Sequence, residues 1–286
     1  MIIYAERGSI HYLKMLKQTK LLIVLPVTVL LFTAFCIVDA KAQAEAGIGR
    51  VFSGAGSSEA ASRMRAGLGG SLKKAVENSK SKRATAKPSA AAAKARQASR
   101  RPAPVRNNAP VRNVASPQAT YFKPDARINV AKMIADEIGT TKAEKDALLL
   151  LFNATKQAFE DEVAKKGRQN NLSAAATFFI VATSTVYHDT PEPGDEAVDQ
   201  LWDALNSVLD ENEAVAAMSD SDKQQVYETL IVFSGLVYAG HMEGKSSGNK
   251  QTSAAYRQLA GTLIETVLQM SPDQLKFGKN GLAIGS

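Results

Sequence analysis

The stretch NLSAAATFFIVATSTVY, residues 171–187, decides the fold. Read at helical spacing, Leu172, Ala175, Ala176, Phe179, Ile180, Thr183, Val186 and Tyr187 share one face, while Phe178, Val181 and Ala182 lie on the other. A helix that is apolar nearly all round is stable in water only when other helices cover it. The run is too short to cross a bilayer, so it reads as the central helix of a soluble core.

The covering helices can be found on either side of it. A helix over about Asp125–Ile138 stops at Gly139, and Thr141-x-x-Glu144 forms a capping box that opens a second helix running to Lys166. Leu148, Leu151, Phe152, Phe159 and Val163 make its apolar stripe. After two prolines, Asp195–Leu209 is plainly amphipathic, with Val198, Leu201, Trp202, Leu205, Val208 and Leu209 opposite a set of acids. Ser221-x-x-Gln224 is read as the cap of a fifth helix, and about Gln251–Met270 makes a sixth, with Ala255, Leu259, Leu263 and Val267 inward. Pro272 starts a further helical turn, and the ending LKFGKNGLAIGS reads as a short extended piece. The expectation is a single all-α, bundle-like domain of about six helices over residues 125–286.

Upstream the character changes. Residues 21–38, LLIVLPVTVLLFTAFCIV, carry no charge, follow Lys14, Lys17 and Lys20, and precede Ala40-Lys41-Ala42. That is the pattern of a secretory signal peptide over residues 1–42, with Met15 an alternative start that would leave residues 1–14 outside it. A retained single-pass inner-membrane anchor through residues 21–38 is the competing reading, and both place the rest of the chain outside the cytoplasm, periplasmic or secreted. Cys36 is the single cysteine, so neither a disulfide framework nor a multi-cysteine zinc site can be built within one chain.

The net charge of +7 is the sum of unlike parts. Residues 43–124 hold 16 Lys and Arg against Glu45, Glu59 and Glu77, whereas residues 125–286 hold 14 against 23 acids. The first segment is rich in Gly, Ala, Pro, Lys and Arg, with a short helix read around Glu59–Val76, and has too little apolar surface to offset chain entropy, so it reads as a basic disordered arm. Lys82, Arg83, Arg100 and Arg101 are its densest charges. Its natural ligands outside the cell are anionic, an envelope polymer or a lipid surface. The other reading is a linker whose charge merely keeps it extended. Cytoplasmic nucleic acid is not an expected partner.

The elements NNLSAAATFFIVATSTVYHDT, SDSDKQQVYETLIVFSGLVYAG and SPDQLKFGKNGLAI resemble an uncharacterised all-helical domain of exported bacterial proteins, over about residues 125–284. The resemblance implies a bacterial, exported setting and brings no activity or cofactor.

Candidate chemistry is sparse. His188 and His241, with Asp189 and Glu192, are weak candidates for a metal or for acid–base work, set against the simpler role of histidines closing helices. Asp195, Asp199 and Asp203 stand at i, i+4 and i+8 with no cation at helical spacing, an acidic ridge that could meet a cation or a basic partner. No catalytic residue and no cofactor is assigned. The reading is a non-catalytic exported binding or scaffolding module of the bacterial cell envelope, its arm on anionic polymer or lipid and its helical domain on a partner of unknown kind. The rival is a cell-wall glycan hydrolase using a carboxylate between Glu160 and Asp203.

Overall fold

The structure, a computed structural model, describes residues 70–74, 76, 118–278 and 281–285. Residues 1–42, with Cys36 and the expected signal peptide, and the basic residues Lys82, Arg83, Arg100 and Arg101 lie outside the described residues. The described residues form an all-α body: α1 (Val130–Ile138), α2 (Lys142–Ala164), α3 (Leu172–His188), α4 (Asp195–Asp210), the single turn α5 (Glu213–Ala216), α6 (Asp220–Ser246) and α7 (Lys250–Leu268). A 3-10 turn, Pro272–Gln274, leads into a small antiparallel hairpin, β1 (Leu275–Gly278) and β2 (Gly281–Ile284), with Leu275 opposite Ile284. None of these helices is long and apolar enough to cross a membrane.

As expected, α3 is central, packed against α4, α6 and α7, and residues 172–186 are buried without a break. The helix starts follow from side chains that satisfy free amides. Thr141 and Glu144 cap α2 reciprocally, and a further bond from the Thr140 amide to the same carboxylate (2.8 Å) helps hold the Glu144 carboxyl below its ordinary range, led by the Thr140 hydroxyl. For α6 the cap is Ser219 with Asp222, two residues ahead of the Ser221–Gln224 pair. Gln224 is occupied elsewhere: its side chain accepts from the Asp125 amide (2.7 Å) and donates to the Asp125 carbonyl (3.1 Å), pinning the chain before α1. In α7 the inward residues are Ala260, Leu263, Ile264, Val267 and Leu268, so Ala255 and Leu259 are only partly covered.

The folded body reaches further toward the N-terminus than the boundary read at Asp125. The Leu172 amide donates to the Thr120 carbonyl (2.9 Å), the Phe122 amide to that of Asn170 (3.2 Å), and Phe122 packs edge-on against Tyr227 at 5.1 Å. Residues 70–74 and 76 are helical, and Leu72 and Val76 are buried in the common core. These segments carry isolated apolar residues in basic or small-residue surroundings, which explains why composition alone assigns them to the arm. Their docking is favoured by apolar burial, on the order of 2 kcal/mol for a leucine.

Both segments dock at one corner. Asn212 donates to Ser71 Oγ (3.4 Å) and Lys74 pairs with Glu211 (3.5 Å), while the Thr120 amide donates to Asp210 (3.2 Å) and its hydroxyl to Asn206 (2.9 Å). The described residues on either side of 77–117 therefore both pack beside the same C-terminal end of α4.

Candidate functional site

Three elements meet where α3 ends, α6 nears its end and α7 begins. Asp189 follows α3 in the left-handed region (φ 50°), a conformation that short polar side chains tolerate. On α6, Gly240 and Gly244 stand one turn apart and let α7 approach closely. A Cβ at Gly244 would lie 2.5 Å from the Ser253 backbone nitrogen, and one at Gly240 would overlap the Tyr256 ring. The side chain between them, His241, is buried at this joint.

His241 bonds through both ring nitrogens. Nδ1 faces Ser253 Oγ at 2.9 Å and Nε2 faces Asp189 Oδ1 at 3.1 Å. Lys245 donates to the same aspartate oxygen at 2.7 Å, and that bond, helped by His241, holds the Asp189 carboxyl below its ordinary range despite some desolvation. Beside them Tyr238 donates to Glu192; burial first, and then this carboxylate, push the Tyr238 phenol far upward. Burial likewise raises the Tyr256 phenol to about 12. Ser253 was not singled out by sequence, since its partners lie on two other elements; the available signal was the Gly240-x-x-x-Gly244 spacing, which marks a close helix contact.

The other expected residues fall elsewhere. The His188 ring contacts the Leu275 carbonyl (Nε2 to oxygen 2.6 Å), fastening α3 to β1, and so stands apart from the His241 cluster. Among the described residues no three His, Cys, Asp or Glu side chains come together to hold a metal ion. Asp199 does not project as part of an open ridge: Lys166 (2.7 Å) and Arg168 (2.6 Å), both from the turn between α2 and α3, bind its carboxylate. Partial burial raises that carboxyl, but the two cations outweigh it and leave it below its ordinary range. Arg168 also stacks over Trp202 at 3.8 Å, closing one end of a small apolar dimple lined by Phe178, Val181 and Val198. Asp203 is exposed and Asp195 half-buried.

A second polar cluster joins α2 to α6. Glu228 is buried, paired with Lys156, and bonded by Gln224 Nε2 at 3.0 Å. One turn away the Tyr227 hydroxyl donates to Glu160 at 2.6 Å. Burial pushes the Glu160 carboxyl above its ordinary range, against the opposing pull of the Tyr227 bond and of Lys156.

Residues 24–285 match the model of DUF6683, a family of unknown function. The chain belongs to this family. The match extends well beyond the helical domain and takes in the whole basic segment, in keeping with the docked residues 70–76 being part of the family's fold. Comparison with curated proteins and with solved structures finds no match.

Proposed function

We propose that this DUF6683 member is an exported binding module of the bacterial cell envelope that attaches to an anionic polymer or lipid surface through residues 77–117. One observation carries the reading: both ends of that segment are fastened at the same corner of α4. Residues 77–117 hold ten Lys and Arg against Glu77 alone, on a folded body whose own balance is acidic. With the flanking residues held there, the ten bases are tied to one place on the body. The Lys74–Glu211 pair, exposed on both sides, adds only about 0–1 kcal/mol to the docking. Export rests on the basic, apolar and small-residue pattern of residues 14–42.

The test compares the full mature chain with a variant in which the ten bases of 77–117 are replaced by Gln. Retention of the first on phosphatidylglycerol vesicles at low salt, lost at high salt and lost in the second, supports the reading. Equal retention of the two removes it. A fragment beginning at residue 125 is unsuited, because it lacks Leu72, Thr120 and Phe122.

Glycan hydrolysis is favoured by one feature, the raised, half-buried carboxyl of Glu160 held by Tyr227. Clearing of a peptidoglycan zymogram by the wild type and not by Glu160→Gln would support that second reading; its absence would remove it.

A further inference from the structure

The Asp189–His241–Ser253 chain has a chemical capacity beyond attachment, and we infer that Ser253 is a nucleophile toward acyl esters. The two ring nitrogens of His241 face opposite partners, so one neutral tautomer serves both: Nε2–H donates to Asp189, and the Nδ1 lone pair accepts from the Ser253 hydroxyl. This is the connectivity a serine nucleophile needs, a base within hydrogen-bond reach and a carboxylate fixing the base's tautomer. The burial pattern suits it as well. The His241 ring is 4% exposed and lies beneath, while Ser253 is partly open to solvent. Asp189 is kept anionic by Lys245, and so can stabilise the imidazolium formed during attack.

Ser253 lies in the first turns of α7, whose cap Asn249 accepts from the Thr252 amide through its side chain and from the Ser253 amide through its carbonyl, both at 3.1 Å. The amides of Lys250 and Gln251, the first two of the helix, have no carbonyl one turn back, and the helix start carries partial positive charge. In the reaction Ser253 Oγ attacks the ester carbonyl carbon and its proton passes to His241 Nδ1. Collapse of the tetrahedral adduct breaks the bond to the alcohol oxygen, which leaves with that proton. Water, deprotonated by the same nitrogen, then hydrolyses the acyl-serine to the carboxylic acid and regenerates the hydroxyl.

The experiment incubates the full mature chain with a fluorophosphonate probe and maps the adduct by mass spectrometry, with p-nitrophenyl acetate as the turnover substrate. The expected adduct is on Ser253 and is absent from Ser253→Ala. Labelling slows at least ~100-fold in His241→Gln, and its pH dependence changes. Asp189→Asn, which keeps the left-handed backbone and the acceptor oxygen while removing the charge, slows labelling by about tenfold with an unchanged circular dichroism spectrum. Wild-type labelling no faster than that of Ser253→Ala, or a rate and pH profile unaltered in folded Asp189→Asn and His241→Gln, overturns the inference.

Discussion

Replacing Asn171 by Ala tests how the central helix is tied to its neighbours. The side chain is fully buried and makes contacts in four directions. Its oxygen accepts from the Ala174 amide (2.9 Å) and the Trp202 indole (3.4 Å), and its amide donates to Asn206 (2.9 Å) and Thr120 (3.2 Å). Loss of the cap costs about 1 kcal/mol. Losing the bond to the half-buried indole and the two amide bonds adds about 1–2 kcal/mol, moderated because Thr120 and Asn206 keep their bond to each other. The expected total is about 2–3 kcal/mol, or roughly 6–10 °C in Tm for a body of this size. Urea unfolding followed by fluorescence suits the question, because Trp202 is the single tryptophan and touches the altered residue. Asn171→Ser, which can still cap, should recover about 1 kcal/mol of the loss. An Asn171→Ala cost below about 0.5 kcal/mol, or an identical loss in the serine variant, would refute this account of the hub.

Other outcomes follow from the same contacts. Gly244→Ala places a methyl against the Ser253 backbone, which no rotamer change relieves, so urea unfolding should show a loss of about 1–3 kcal/mol and α6 and α7 should move apart. Glu160→Gln keeps an acceptor for Tyr227 while removing a carboxyl whose folded-state pKa lies above the ordinary value of 4.5. The wild type loses stability as pH rises from that ordinary value through the raised one, so the variant should match it in acid and exceed it at neutral pH. A constant difference across pH would contradict that sign. Asp199→Asn removes the carboxylate that Lys166 and Arg168 share, and since these groups are partly exposed the cost should be about 1 kcal/mol and should shrink with added salt.

How much could be read from the chain depends on whether a signal is local. The burial of α3 follows from apolar residues on every side of one helix, and the Thr141–Glu144 cap from two residues three apart, so both are legible. Asn171 is legible only as a cap; its amide bonds to Asn206 and Thr120 depend on the tertiary arrangement. The Asp195–Asp199–Asp203 spacing suggests an open ridge because the cations that meet Asp199 come from residues 166 and 168, before α3. Likewise Leu72, Val76 and Phe122 are too isolated in sequence to announce a core, yet each finds one ready-made in the packed helices. The His241 cluster takes one residue from each of three elements, and no periodicity along any one of them marks it.

The central claim is that residues 77–117 are anchored at both ends, and brief trypsin treatment under native conditions tests it most directly. Eight of the ten Lys and Arg of that segment, those not followed by proline, are tryptic sites. After a cut there, the piece containing Leu72 should co-elute with the helical body on size exclusion, and Leu72→Asp should release it. Separation of the two pieces in the wild-type protein would contradict the account.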